Sequence, residues 1–101
     1  SFKKPLDRVA TALLETKGPI IIAGHSDSSP INSRRFKSNM ALSLARAEAV
    51  EKTVSPLFGA QATRLQAEGR SDVEPIASNK TREGRAKNRR IEIVLVREEQ
   101  T

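Results

Sequence analysis

Leu6, Val9, Ala10, Leu13 and Leu14 recur at helical spacing, with Pro5 where a first turn tolerates it. The spacing predicts a helix from about Pro5 to Thr16, closed by Gly18-Pro19. Ile20-Ile21-Ile22-Ala23 then runs apolar without interruption and stops at Gly24. That is the pattern of a short strand buried on both faces, as in the middle of a sheet. From His25 to Lys37 the chain is polar and carries Pro30, which makes it a loop long for a compact domain; such loops are often functional. Ser38 or Asn39 can cap a second helix, rich in Ala and Leu, that reaches about Val54 before Pro56 and Gly59. A short strand is expected over Thr63 to Glu68, with Leu65 and Ala67 inward, and a loop from Gly69 to Asn79. Thr81 can cap a short basic helix through Arg85 and Lys87. Ile91, Ile93 and Leu95, alternating with Glu92, Val94 and Val96, give a last strand. The expected class is α/β (α+β): two long helices packed on one face of a small mixed sheet, residues 1–101 forming a single domain.

A chain of 101 residues can bury one modest core. No apolar run is long enough to span a membrane, and no charged-then-apolar leader precedes a small-residue cleavage site. Any membrane anchor or export signal of a parent protein is therefore expected to lie outside this chain, which opens at Ser1. Cysteine is absent, which removes disulfides, thiolate metal sites and cysteine nucleophiles together. The formal charge of +6 favours anionic partners: nucleic acid, lipid headgroups or a carboxylate-bearing polymer. The aromatics are Phe2, Phe36 and Phe58 alone, too few stacking rings for a single-strand nucleic-acid binder.

The residues that invite chemistry are few. On the second helix, Leu42, Arg46, Val50 and Val54 are expected on one side, with Asn39 and Ser43 nearby, which puts Arg46 in the stripe facing the protein. A guanidinium there needs an anion. Asp27, at the exit of the buried strand, would make a structural pair; a ligand's acidic group is the alternative. His25 and Asp27 in Gly24-His25-Ser26-Asp27 could suggest a metal site or a hydrolytic pair. With no second histidine, no cysteine and no G-x-S-x-G elbow, neither is supported, so no catalytic residue, metal or cofactor is expected. Lys80, Arg82, Arg85, Lys87, Arg89 and Arg90 form the strongest charge feature, yet no zinc-finger, basic-zipper or RNA-recognition pattern accompanies them. Nucleic acid is not an expected partner.

The strings Ile-Ile-Ile-Ala-Gly-His-Ser-Asp, Leu42-Ser43 through Arg46-Ala47 to Val50, Pro75-Ile76-Ala77-Ser78-Asn79, and Gly84-Arg85-Ala86-Lys87-Asn88-Arg89-Arg90-Ile91-Glu92-Ile93 stand in order along nearly the whole chain. Together they resemble the OmpA-like (OmpA/MotB C-terminal) peptidoglycan-binding domain. The resemblance implies a non-enzymatic anchor that binds the meso-diaminopimelate of the peptidoglycan stem peptide. It carries the acidic group of the motif onto Asp27, the helix arginine onto Arg46, the helix-start asparagine onto Asn39 and the first arginine of the NRR run onto Arg89. Ser26 stands where the family has threonine, and keeps the hydroxyl. The family's fold runs β/α/β/α/β, with a strand ahead of the first helix. Here Phe2-Lys3-Lys4-Pro5 leads straight into the helix, so that strand is missing from this chain and a sheet edge is expected to lie uncovered.

The loop from Pro30 to Asn39, with Arg34-Arg35-Phe36, resembles the subgroup found in flagellar motor stators and in the TssL-like inner-membrane protein of type VI secretion. The PIASN…TREGRAKNRRIEI stretch favours the TssL-like branch. That branch implies a periplasmic domain tethered to the inner membrane by an upstream segment, with secretion-complex subunits or its own copies as further partners. The competing expectation is an assembly module of a secretion or motor complex with weak or lost wall binding.

Overall fold

The computed structural model describes residues 3–31 and 35–96, with Lys3 and Lys4 described in their backbone alone. Phe2 and the Asn32-Ser33-Arg34 part of the long loop lie outside the described residues. The elements are α1 (Lys3–Leu14), β1 (Ile20–His25), α2 (Asn39–Phe58), a 3-10 turn (Gly59–Arg64), β2 (Leu65–Gly69), α3 (Arg82–Asn88) and β3 (Arg90–Leu95). Every expected element is present, and the boundaries differ for physical reasons.

The sheet order is β2-β1-β3, with β1 parallel to β2 and antiparallel to β3, so the all-apolar run is the central strand. Ile22 lies opposite Ala67 on one side and Ile93 on the other, and Gly24 lies opposite Gly69 and Ile91. Side chains alternate across a strand. Ile20, Ile22, Ile91, Ile93, Leu95 and Leu65 therefore point to one face, and both long helices pack there. The core is Ala10, Ile20, Ile22, Ala47, Val54, Phe58 and Leu65, edged by Leu6, Leu13, Val50 and Ile91. Outward on β3 no strand pairs among the described residues, and Ile93 and Val96 are partly exposed along that edge.

β1 continues through His25 rather than stopping at Gly24, because Gly24 is not a strand breaker here but a close-approach point. A Cβ on Gly24 would run into the backbone carbonyl of Ser43, and one on Gly69 would meet the backbone of Leu44. Two strands thus press α2 at a single turn, which only glycine allows.

α2 passes the expected stop near Val54 and runs through Pro56 to Phe58, ending at Gly59 with φ 53°. A proline forfeits one helical hydrogen bond, but it sits in the last turn, where the exposed Lys52 carbonyl can be met by water. Phe58, buried in the core, holds the extra turn down.

Arg64 closes the far end of α1. Its Nε donates to the Gly18 carbonyl at 2.9 Å, Nη1 to the Leu13 carbonyl at 3.2 Å and Nη2 to Thr16 Oγ1 at 2.9 Å. A guanidinium on the carbonyl end of a helix both satisfies orphan acceptors and complements the dipole.

Candidate functional site

Where β1 leaves the sheet, the chain turns polar while still buried: His25, Ser26 and Asp27 are all sheltered from solvent. Asp27 supplies the carboxylate of this set. Its Oδ1 accepts from the Ser29 backbone N–H at 2.8 Å, and its Oδ2 accepts from Arg89 Nη1 at 2.6 Å. Burial pushes the Asp27 carboxyl up, but the Ser29 N–H and the Arg89 guanidinium together outweigh it, holding the group below the ordinary carboxylate range. The result is a fixed anion at neutral pH, held in one orientation. Arg89 uses one nitrogen for this pair and keeps 42% of its side chain exposed, so the rest of its fork faces solvent.

Asn39 stands at the start of α2, where Ser38 supplies the cap by accepting from the Ala41 N–H. Asn39 Nδ2 donates to the Ser29 carbonyl at 3.0 Å, which ties the helix start to the turn that holds Asp27. Three of the four expected site residues, Asp27, Asn39 and Arg89, are therefore brought together around Ser29.

Arg46 is placed differently from the expectation. It is exposed, and no hydrogen bond or ion pair joins it to Asp27 among the described residues. The buried stripe of α2 is Ser43, Ala47, Val54 and Phe58. A run of i, i+4 steps turns by roughly 40° each time, so Leu42, Arg46, Val50 and Val54 drift around the helix rather than share one side. Arg46 lies seven residues from Asn39, hence on the same flank and about 10 Å further along the axis. It lines a cleft of about 320 Å³ with Arg35, Phe36, Leu42, Ala45 and Ala49.

Several residues that build this rim were not evident in the sequence. Asn88, fully buried at the end of α3, accepts from the Ile76 and Ala77 N–H groups and donates to the Ala77 carbonyl and to Asn79 Oδ1. Asn79 in turn accepts from the Ser28 N–H at 3.3 Å. The residue next to Asn88 is Arg89, so this pinning sets where the Asp27 partner emerges. Ser43 Oγ donates to the Met40 carbonyl and accepts from the Ser71 N–H, holding Ser71 at φ 54°, while the Ser71 carbonyl accepts from the Ser26 N–H. Asn79, closing the string from Pro75, Asn88, inside the string from Gly84 to Ile93, and Ser43, beside Leu42 in the helix string, were the available signal; Ser71 left none.

Much of the basic stretch is used internally. Arg85 donates to the Asn79 carbonyl, Arg89 to Asp27, and Arg90 to Glu92, to the Asn88 carbonyl and to the Glu74 carbonyl. Hydrogen bonding from Arg90 lowers the Glu92 carboxyl below its ordinary value against the cost of partial burial. Glu92 Oε1 also meets His25 Nε2 at 2.9 Å, which gives one ring nitrogen of the histidine a partner on the neighbouring strand. Among the described residues no three His, Cys, Asp or Glu side chains gather as metal ligands, and no helix is long and apolar enough to cross a membrane.

A three-stranded mixed sheet with two long helices on one face, and an acidic strand exit answered by an arginine from the last turn before β3, defines an OmpA-like class of domain. The OmpA family model matches residues 1–89, and the chain belongs to that family. It is 39% identical over 94 residues to motility protein B of Bacillus subtilis, covering 91% of this chain and 36% of that protein. With outer membrane protein A of Bordetella avium the identity is 44% over 95 residues, 90% of this chain and 45% of that protein. The chain thus spans less than half the length of these relatives. Among solved structures, the cell wall anchor of the T6SS from Pseudomonas aeruginosa superposes with TM-score 0.81 at 47% identity, over 96% of this chain and 67% of that one. The periplasmic domain of Helicobacter pylori MotB superposes with TM-score 0.75 at 30% identity, over 89% of this chain and 58% of that one.

Proposed function

We propose that this domain binds peptidoglycan non-covalently, through the meso-diaminopimelate of a stem peptide, and so anchors an envelope secretion complex to the cell wall from the periplasmic side. The observation that carries this reading is the buried, ionised Asp27 carboxylate, oriented by Ser29 and Arg89 at an open rim, with the exposed Arg46 on the neighbouring helix flank. The likeness to a T6SS cell wall anchor supports it. Diaminopimelate ends in a centre bearing both an ammonium and a carboxylate. Asp27, helped by Asn39, receives the ammonium. Arg46 and the spare donors of Arg89 receive the carboxylate. Each charge-assisted bond contributes about 1.5–3 kcal/mol, enough for modest affinity at one site. A wall offering many repeats turns modest affinity into firm attachment. No bond is made or broken, and the domain acts as a binder rather than an enzyme.

The test is retention on purified sacculi. Wild type is expected to be retained, and Asp27→Ala and Arg46→Ala to remain in the supernatant. Equal retention of all three would remove the site. The competing reading, an assembly module with weak or lost wall binding, draws on the uncovered β3 edge and on the apolar depression between Leu6, Val50, Ile91 and Ile93 beside it. A mass that rises with concentration in light scattering, together with no retention of wild type, would favour that reading instead.

A further inference from the structure

The cleft on the α2 flank holds more positive charge than one carboxylate requires. Arg35 and Arg46 both line it, and the other walls are Phe36, Leu42, Ala45 and Ala49, with no acidic side chain among them. Neither arginine has a carboxylate within 4.0 Å among the described residues. Two guanidiniums sharing one cleft repel each other unless an anion lies between or beside them. Arg35 has its guanidinium over the Phe36 ring, 5.2 Å from the ring centre, a cation–π contact that leaves the polar edge of the fork available to a ligand. The aliphatic part of the lining comes from α2, as Leu42, Ala45 and Ala49. A site of this kind is built for a carboxylate carried on a small apolar residue, with the charge on the guanidinium and the methyl on the aliphatic lining.

Resting on the diaminopimelate reading above, we propose that Arg35, stacked on Phe36, binds a second carboxylate of the same ligand: the free C-terminal carboxylate of the D-alanine that follows diaminopimelate in an uncross-linked stem peptide. Arg46 takes the carboxylate of the zwitterionic centre, and Arg35 takes the one a residue further on. The Leu42, Ala45 and Ala49 lining receives the D-alanine methyl. Cross-linking through that D-alanine converts its carboxylate to an amide, which carries no charge for Arg35. The domain therefore selects stem peptides with free ends over those already joined as donors, and attaches to wall that is less densely cross-linked.

The experiment compares two soluble tetrapeptides, L-Ala-γ-D-Glu-meso-diaminopimelate-D-Ala as the free acid and as its C-terminal carboxamide, titrated calorimetrically into the folded domain. Wild type is expected to bind the acid about tenfold more tightly than the amide, the difference made by one charge-assisted contact. Arg35→Ala is expected to bind both peptides equally, at the affinity wild type shows for the amide. That retained amide binding also shows the variant is folded. Equal affinity of wild type for acid and amide would overturn the proposal, as would a preference that survives Arg35→Ala. Asp27→Ala is expected to bind neither peptide. If it binds the amide as well as wild type does, the diaminopimelate clamp is wrong, whatever Arg35 does.

Discussion

The two ends of β1 sit in different chemistry. Ile20 and Ile22 are packed in hydrocarbon, against Ala10, Val54, Phe58 and Leu65. Gly24 to Asp27 are equally sheltered, but their surroundings are hydrogen bonds: the Ser43–Ser71 link, the Ser71 carbonyl on Ser26, and Ser29 and Arg89 on Asp27. Apolar packing tolerates small displacements, whereas a buried polar network depends on the partners its members keep, and among the described residues His25 Nδ1 and Ser26 Oγ are buried here without one. The domain thus separates the end that supplies stability from the end that presents charge. A polar rim fixed in this way positions the buried Asp27 carboxylate and leaves part of the Arg89 guanidinium open to solvent.

The separation can be broken most severely at the hydrocarbon end. Ile22→Ala, at a fully buried position, is expected to cost about 3–4 kcal/mol and lower Tm by more than 10 °C, roughly. Calorimetric melting checks this, and below Tm the folded fraction should still bind sacculi. Asn88→Ala comes next, at about 2–3 kcal/mol, because the Ile76 and Ala77 groups lose their buried partner. Unlike Ile22→Ala, it is expected to weaken retention well below melting, since Asn79 and Arg89 lose their placement. Normal retention with a lowered Tm would show that the loop does not position the site.

A smaller effect is expected from acid. Asp27 has its carboxyl lowered in the fold from 3.8, so its stabilising contribution is complete above that value and is lost as pH falls below it toward the native value. Glu92, lowered from 4.5, adds in the same direction. Tm should stay flat from neutral pH to about pH 5 and fall below about pH 4, with a shallower fall in Asp27→Asn. An identical acid profile in wild type and Asp27→Asn would contradict the pairing with Arg89. The smallest structural effect is expected at Arg46→Ala, with Tm changed by less than about 2 °C because the residue is exposed. Its sacculus retention should nonetheless fall as far as that of Asp27→Ala, and this contrast is the sharpest form of the comparison.

What the sequence made legible follows the same division. The hydrocarbon end obeys local rules. Leu6, Ala10 and Leu13 at helical spacing, the Ile20–Ile22 run and the Ile91–Ile93–Leu95 alternation each show which face goes inward before any contact is known. The one clear miss in that region, α2 running past Pro56, came from weighing a helix breaker above the pull of Phe58 on the core. At the polar end local rules stop. Nothing in the spacing around Asp27 says that its partner is Arg89 rather than Arg46, because the pairing is made by β3 folding back beside β1. The family resemblance supplied the residue names, Asp27, Asn39, Arg46 and Arg89, but not their arrangement. Periodicity put Arg46 facing inward through a stripe that in fact winds off the buried side, and the cleft with Arg35 and Phe36 became visible only in three dimensions.

Asp27 and Arg89 are 62 positions apart and meet because β3 lies antiparallel beside β1. On a ribosome the acidic half of this meeting is made first and its counter-charge 62 residues later. A copy broken off before the final strand would still carry Arg89, but without β3 beside β1 to bring its guanidinium to Asp27, so the carboxylate would be unoriented and the sheet missing one side. The orientation of Asp27 therefore depends on a contact that closes only after the chain has been made through β3, a long-range step that local folding of β1 cannot supply.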